Sequence, residues 1–302
     1  MKTLEAFEND ILLQIPYLQN MKLQKQLSSK KQQKTVFCGT GDSFAAALLV
    51  ESFSNNGVKA TDPLDIIKNP SIVKNKDGFL ISISGNTISN IKITKLFKKS
   101  TAITASPDGK LAKFCSKNIF LDYPHSGIFT SGSIGFLSSA LTSISLVYKV
   151  NLKNIMTIFT QALFESKKIK LSEKIFILGN LHTFPIAMYC AAKLYELLGS
   201  DAQYCKIEQF LHMELFSVKP KDTVLIFEEN TSHNSKMVKS LKKLGLKVYQ
   251  PTPGTNDRIS QVIFFTFLSQ LISLFQAKEN NQKECFFVTA KKLRNASSRM
   301  IY

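Results

Sequence analysis

Small polar residues that could bind an anion are clustered in two short stretches of the chain. The stretch LISISGNTISN, residues 80–90, sets hydroxyl and amide groups among apolar residues, and CGTGDS, residues 38–43, does so directly after an apolar run. A turn alone needs only one or two such residues, whereas an anion is bound best by several hydrogen-bond donors held close together. The candidate phosphate-binding residues are Thr40, Ser43, Ser82, Ser84, Asn86 and Thr87.

The pattern around these residues favours a phosphate monoester over a nucleotide. Each stretch follows a predicted strand and precedes a predicted helix, whose first N–H groups carry a partial positive charge. The chain lacks the GxxxxGK[ST] pattern of triphosphate-binding loops, and GTGDS differs from the GxGxxG of dinucleotide-binding folds. The alternative is that the hydroxyls only cap helices; it is weakened because the clusters follow consecutive strands.

A second group of candidate residues is titratable. Lys193 and Glu196 in AAKLYELLG are three positions apart, so they could also form a solvated ion pair on a helix surface. His212 in EQFLHMELFSV titrates in a range suited to acid–base work, although a histidine in an apolar stretch could equally be a core residue. The weaker candidates are Glu208 and Glu214, which flank His212, and His125 and His182, which lie near predicted strand ends. No histidine has metal-ligand spacing, so we expect neither a metal nor a cofactor.

The elements that must position these residues are predicted twice along the chain. KTVFCGTGDSFAAALLVESF and EKIFILGNLHTFPIAMYCAAKLYELLG both read as a strand, a turn and a helix, with the strands at 34–38 and 174–178. Each is followed by a further strand and an amphipathic helix, an alternation typical of parallel sheets covered by helices. We therefore predict an α/β protein with two similar doubly wound domains. The predicted boundaries are an N-terminal helical segment at 1–33, a first domain at 34–155 and a second domain with a C-terminal tail at 156–302.

Composition limits the class of protein. Of the 302 residues, 44% are hydrophobic and 20% charged, as in soluble globular proteins. The net charge of +17 raises nucleic-acid binding as an alternative, but the lysines are scattered and no nucleic-acid motif accompanies them. The uncharged stretch 259–275 is short for a membrane span and is better explained as a buried helix. We expect no nucleic acid or membrane as partner.

Cysteine usage and the N-terminus indicate a compartment. The five cysteines form no CxxC pair and lie mostly in apolar runs, which favours reduced, buried thiols. The first residues carry acids and no continuous apolar core, unlike a secretory signal. We expect a cytoplasmic protein.

Several of these stretches together resemble one protein family. CGTGDS followed by SISGNT is similar to the two phosphate-contacting loops of SIS (sugar isomerase) domains, and AITASPDGKLAK at 102–113 resembles the strand and loop that follow them. FILGNLHTFPIAMYCAAKLYE resembles the opening of the second SIS domain in the isomerase half of glucosamine-6-phosphate synthases. The resemblance extends from about residue 34 to the C-terminus and implies two flavodoxin-like SIS domains. No cysteine stands near the start, so we expect no glutaminase domain.

The resemblance also implies roles for individual residues. Glu196 falls on the family's catalytic base and Lys193 on its nearby lysine; His212, sixteen residues after Glu196, falls on the histidine that opens the sugar ring. In the relatives that histidine comes from the other subunit, which implies a homodimer with a shared site. Gly39, Gly41, Gly85 and Ser131 are the remaining candidates for substrate contacts.

The sequence departs from the family at several positions. The usual serine of CGTS is Gly41, the glutamine of the serine loop is Ile83, and the usual His-Gly-Pro reads His212-Met213-Glu214. The basic residue near the C-terminus that approaches the sugar could be Lys291, Lys292 or Arg299. The implied function is an aldose–ketose isomerase or amino-sugar phosphate deaminase acting on glucosamine 6-phosphate or fructose 6-phosphate. The alternatives are a phosphoglucose or phosphomannose isomerase and a non-catalytic sugar-phosphate sensor.

Overall fold

The computed structural model describes all residues, 1–302, which divide into two compact units. The first-sheet unit contains residues 16–125, 132–151 and 290–302, and the second-sheet unit contains residues 1–15, 126–131 and 152–289. The strands are β1 (Thr35–Cys38), β2 (Lys59–Thr61), β3 (Asp77–Ile81), β4 (Lys99–Thr104), β5 (Lys117–Phe120), β6 (Lys174–Leu178), β7 (Asp201–Cys205), β8 (Thr223–Ile226) and β9 (Lys247–Tyr249).

Helices alternate with these strands along most of the chain. They are α1 (Thr3–Gln19), α2 (Ser29–Gln32), α3 (Asp42–Phe53), α4 (Pro63–Lys68), α5 (Ile88–Ile93), α6 (Lys110–Phe114), α7 (Ile134–Ser145), α8 (Ile155–Ser166), α9 (Thr183–Leu198), α10 (Ile207–His212), α11 (Ser232–Lys243), α12 (Arg258–Glu279), α13 (Phe286–Thr289) and α14 (Lys291–Ile301). Short 3-10 turns lie at Pro70–Val73, Thr94–Leu96 and Glu214–Ser217.

Both sheets are parallel and share one strand order. The first runs β2-β1-β3-β4-β5 and the second β7-β6-β8-β9, and every strand pair in either sheet is parallel. The central strands β1, β6 and β8 are almost wholly buried, which explains their continuous apolar sequences. The prediction of two similar doubly wound parallel sheets is confirmed.

Apolar clusters hold the helices against each sheet. In the first-sheet unit, Val36, Leu80 and Ala102 pack with Ile66 of α4 and Ile93 of α5. In the second-sheet unit, strand residues including Phe176 and Ile226 pack with Phe210 of α10 and Leu241 of α11. Burial of these side chains is the main stabilising contribution to each sheet layer.

The long apolar helix α12 lies in the core of the second-sheet unit. It packs against α8 and α9. By length and composition α12 could cross a membrane, but 83% of its apolar window is buried inside the protein. Asp257 caps its first turn by accepting a hydrogen bond from Ser260 N–H at 2.8 Å. Packing within the unit therefore accounts for its apolar sequence.

A glycine turns the chain from the first strand of each sheet into the following helix. A Cβ atom on Gly39 would lie 2.5 Å from the backbone of Ser43, and one on Gly179 would lie 2.8 Å from the backbone of Thr183. Such close approach admits only glycine. The order of each sheet reverses at this first strand, where α/β folds bind ligands at the carboxyl ends of the strands.

Candidate functional site

The first candidate region lies where β1 and β3 end, within the first-sheet unit. β1 and β3 are adjacent, with Cys38 opposite Leu80, so the turn at 39–43 and the loop at 82–87 follow neighbouring strand ends. This region is called the first crevice below. It contains all six hydroxyl and amide residues that the sequence indicated.

The turn at 39–43 leaves hydrogen-bond donors without protein partners. Gly41 has a φ of +55°, a conformation that glycine adopts without steric cost, and it precedes α3. Neither the N–H of Thr40 nor the hydroxyl of Ser43 bonds to any protein acceptor. Together with the N-terminus of α3, these groups could bind an anion.

The loop at 82–87 is held in shape by its own hydrogen bonds. Ser82 and Thr87 are buried, and their hydroxyls lie 3.2 Å apart. Gly85 has a φ of +64°, and a Cβ atom there would lie 3.1 Å from Thr104 Oγ1. The exposed Ser84 accepts a hydrogen bond from Asn86 N–H at 3.3 Å. The buried hydroxyls therefore fix the loop and Ser84 faces solvent.

Asn86 ties this loop to the start of α6. Its side-chain oxygen accepts the Lys110 N–H at 3.3 Å, and its amide nitrogen donates to the carbonyl of Ser84 at 3.0 Å. Gly85 O accepts the N–H of Leu111 at 2.8 Å. Asn86 thus connects the loop at 82–87 to the first turn of α6.

The second candidate region lies in the second-sheet unit and centres on α9. Lys193 and Glu196 are one helical turn apart, and Lys193 Nζ donates to Glu196 Oε2 at 2.5 Å. Lys193 Nζ also donates to Ser131 Oγ at 2.9 Å, and Ser131 Oγ in turn donates to the same Oε2. The structure thereby brings Ser131, Lys193 and Glu196 together.

Burial differs sharply within this triad. The Lys193 side chain is completely buried, whereas that of Glu196 is 37% exposed. A buried ammonium requires a nearby counter-charge. Both hydrogen bonds go to Oε2, and Oε1 of the partly exposed Glu196 accepts none within the chain.

A buried polar cluster lies behind Lys193. Its Nζ lies 5.0 Å from the centre of the Tyr189 ring, a distance at which a cation and an aromatic face attract each other. The Tyr189 hydroxyl accepts a hydrogen bond from Gln270 Nε2 at 2.9 Å, and Gln14 Nε2 donates to Gln270 Oε1 at 2.8 Å. These contacts join α9, α12 and α1 within the unit and restrict the ring of Tyr189.

The segment carrying Ser131 is fixed by neighbouring hydrogen bonds. Thr130 Oγ1 donates to the carbonyl of Thr3 at 3.0 Å and lies 3.5 Å from Cys285 Sγ. Cys285 N–H donates to Thr3 Oγ1 at 2.9 Å. Burial raises the pKa of the Cys285 thiol, so it remains protonated and is a structural group.

The other acid–base candidates lie apart from this triad. His212 is 77% exposed; its Nε2 lies 3.8 Å from Glu208 Oε2, and it makes no contact with Glu196. Glu214 lies beside Cys205, whose thiol pKa is raised to about 12, first by burial and then by that carboxylate. The remaining candidates on α14, namely Lys291, Lys292 and Arg299, are exposed and contact no other candidate residue.

A further polar cluster lies where β6 and β8 end. It contains His182, which the sequence indicated, together with Glu228, Glu229 and Gln261 of α12, which it did not. His182 Nε2 lies 2.7 Å from Gln261 Oε1, and Gln261 Nε2 donates to Glu229 Oε1 at 2.8 Å. Burial lowers the pKa of His182 and raises the pKa of Glu228. The repeat of the strand–turn–helix pattern in the sequence is the signal that could have pointed to this region.

Comparison with known proteins gives solved structures as matches. No family model matches the chain, and no curated protein sequence matches it. Glucosamine-6-phosphate deaminase from Thermotoga maritima is 18% identical with a TM-score of 0.77, and the match covers 94% of this chain and 96% of that one. The C-terminal domain of glucosamine-fructose-6-phosphate aminotransferase from Francisella tularensis is 17% identical with a TM-score of 0.73, over 94% and 97% of the two chains.

A third structure extends the comparison to an isomerase. Tagatose-6-phosphate ketose/aldose isomerase from Escherichia coli is 16% identical with a TM-score of 0.64, and the match covers 93% of this chain and 91% of that one. At such identities the similarity establishes the fold, which is the flavodoxin-like α/β architecture with two parallel sheets.

Proposed function

We propose that this chain is a phosphosugar isomerase or amino-sugar phosphate deaminase with two SIS domains. Its proposed substrates are hexose 6-phosphates of the glucosamine 6-phosphate and fructose 6-phosphate type. The fold similarity to a glucosamine-6-phosphate deaminase and to a ketose/aldose isomerase supports the class. The observation that carries the proposal is the carboxylate of Glu196, held through Oε2 by Lys193 and Ser131 with Oε1 unoccupied.

The first crevice is the proposed binding site for the substrate phosphate. The N–H of Thr40 and the hydroxyl of Ser43 have no protein acceptor, and Ser84 presents a further hydroxyl. Donors fixed by a turn and a helix N-terminus bind a dianion without having to reorganise. Ser82 and Thr87 shape the loop of this site. Their hydroxyls are also proposed to contact a phosphate oxygen.

Glu196 is the proposed proton carrier. Oε1 takes the proton from C2 of the open-chain aldose, giving an enediolate, or its enolamine equivalent when C2 carries nitrogen, and returns that proton to C1. The proton on O2, or on the nitrogen, passes to O1, so that C2 becomes a carbonyl, or an imine that water hydrolyses with release of ammonia. A positioned base of this kind contributes roughly 10²–10⁴ in rate. Lys193 and Ser131 hold Oε2 and so restrict rotation of the carboxylate.

Ring opening and assembly complete the proposal. His212 is the proposed group that opens the cyclic sugar, and its exposure supports a role at a surface met by a second copy of the chain. Met213 and Phe216 beside it are 55% and 87% exposed, which also supports a homodimer.

Sugar phosphates are cytoplasmic metabolites, and the five free cysteines suit that compartment.

A substrate panel tests the proposal. Glucosamine 6-phosphate, fructose 6-phosphate with and without ammonia, glucose 6-phosphate and mannose 6-phosphate are incubated with the protein, and products are separated by chromatography. Exchange of the C2 proton with deuterated water is followed by NMR. We expect turnover of at least one amino-sugar pair; binding without exchange would instead favour a sugar-phosphate sensor, and turnover of only glucose and mannose phosphates would favour the corresponding isomerase.

A further inference from the structure

The second sheet contains a crevice equivalent to the first. Leu178 of β6 lies opposite Ile226 of β8, as Cys38 of β1 lies opposite Leu80 of β3. Residues 179–183 and 228–229, which follow these two strands, form what is called the second crevice. Ser82 follows Leu80 by two residues, and Glu228 follows Ile226 by two residues. Glu228 is therefore the equivalent of Ser82.

The turns of the two crevices also correspond residue by residue. Gly41 and Leu181 are equivalent, and both have positive φ, +55° and +45° respectively. This conformation is unusual for leucine, and Leu181 is 75% exposed, so no packing of its side chain explains it. The two turns therefore share a positive φ at this position, although one has glycine there and the other leucine.

In the second crevice an anion is already bound to the equivalent donors. Asn180 N–H donates to Glu228 Oε1 at 2.8 Å, and Thr183 Oγ1 donates to the same oxygen at 2.7 Å. Asn180 and Thr183 are the equivalents of Thr40 and Ser43, whose N–H and hydroxyl have no protein acceptor. The two crevices thus share a donor set, and in the second these donors bond to the chain's own carboxylate.

We infer that the second crevice is an anion site of the same design as the first, filled by the carboxylate of the chain's own Glu228. The chain accordingly binds one phosphate, in the first crevice. The carboxylate of Glu228 prevents a phosphate from binding in the second crevice. The inference deepens the proposed function, since it assigns phosphate binding to one of two equivalent sites.

The surrounding charges support exclusion of a second phosphate. Glu229 lies next in sequence, and its carboxylate accepts from Gln261 Nε2 at 2.8 Å, which holds it in the crevice. The other titratable groups that face this region are His182 and Arg258. A phosphate dianion entering here would find the two donors bonded to Glu228 and would meet the carboxylates of Glu228 and Glu229 beside one cation, Arg258, so we expect repulsion to oppose its binding.

The experiment is a titration with inorganic phosphate followed by ¹H–¹⁵N NMR of the full chain. In the unaltered protein we expect saturable shifts of the Thr40 and Ser43 amides and none at Asn180 and Thr183. Glu228→Ser places in the second crevice the residue found in the first. This variant should gain saturable shifts at Asn180 and Thr183, with at least about tenfold tighter apparent binding there, as expected for recovered charge-assisted hydrogen bonds.

Matched variants separate the effect of Glu228 from that of charge. Glu229→Ser removes the neighbouring acid but leaves Asn180 and Thr183 bonded to Glu228. Glu228→Gln retains an acceptor oxygen for the same two donors. Neither variant should therefore show saturable shifts at Asn180 and Thr183. Saturable shifts at Asn180 and Thr183 in the unaltered protein would overturn the inference whether or not the variants fold. The absence of saturable shifts at Asn180 and Thr183 in a folded Glu228→Ser protein would also overturn the inference. Loss of the Thr40 and Ser43 shifts in all proteins would instead count against phosphate binding by the first crevice.

Discussion

Lys193 and Glu196 form an ion pair in which one partner is wholly buried and the other reaches solvent. Nζ and Oε2 lie 2.5 Å apart, yet the lysine side chain is fully enclosed while the glutamate side chain is 37% exposed. A surface pair spaced three residues apart would contribute little to stability. The asymmetry instead suits a carboxylate anchored at one oxygen and reactive at the other.

Replacing Glu196 tests the base directly. Glu196→Gln keeps the shape of the side chain and removes its basicity, so kcat should fall by about 10² or more while KM changes little. Steady-state kinetics on the best substrate of the panel measures both. Glu208→Gln is the matched control, because the Glu208 side chain is 66% exposed and pairs only with histidines. If Glu208→Gln abolishes turnover and Glu196→Gln does not, the base has been misassigned.

Ser131 is a positioning residue whose removal should change kcat more than KM. Ser131→Ala deletes one hydrogen bond to Glu196 Oε2, and a bond to a charged group is worth about 1.5–3 kcal/mol, or roughly tenfold or more in rate. Ser126→Ala is a control in the same segment, since the Ser126 hydroxyl is buried without a hydrogen-bond partner. Equal kinetics for both variants would remove Ser131 from the site.

The first crevice predicts the opposite kinetic signature. Ser84→Ala combined with Thr87→Ala removes one exposed hydroxyl and one that shapes the loop, so KM for a sugar phosphate should rise at least about tenfold. Ser71→Ala serves as control, because the Ser71 hydroxyl donates to Asn69 Oδ1, outside the crevice. An unchanged KM in the double variant would place the phosphate elsewhere.

His212 should affect ring opening without affecting stability. Its side chain is 77% exposed, so His212→Ala should leave the thermal unfolding midpoint unchanged. Turnover of cyclic substrates should fall, while C2 proton exchange on open-chain substrate persists. A variant that keeps full turnover of cyclic sugars would show that another group opens the ring.

Light scattering at micromolar concentration should show a dimer.

Glu228 predicts a pH dependence of stability. Its ordinary pKa of 4.5 is raised in the folded chain, first by burial, while hydrogen bonds from Thr183 and Asn180 N–H act against the rise. A group with a raised folded pKa stabilises fully below its unfolded value, and that contribution is lost as pH rises through the folded value. The free energy of unfolding should therefore fall as pH rises above 4.5. Urea unfolding at a series of pH values should show a smaller fall in Glu228→Gln, and identical slopes would contradict this assignment.

The sequence by itself determined the fold class and the positions of the hydroxyl clusters. The short apolar runs of β1 and β6, each followed by a glycine and then a helical pattern, are typical of buried parallel strands. Lys193 and Glu196 were visible as a pair because three residues span nearly one helical turn. Local periodicity and steric limits suffice for these conclusions.

Tertiary structure alone decided how these groups differ in environment. Ser131 is 65 residues from Glu196 along the chain, so no pattern in the sequence could show that it bridges the ion pair. Burial of Lys193 and exposure of His212 depend on which helices pack around them, and neither residue type indicates it. The occupation of the second crevice likewise rests on Glu228 reaching Asn180 and Thr183 across 48 and 45 residues. Hydrogen-bond partners and desolvation are set by distant parts of the chain, and only folding brings those parts together.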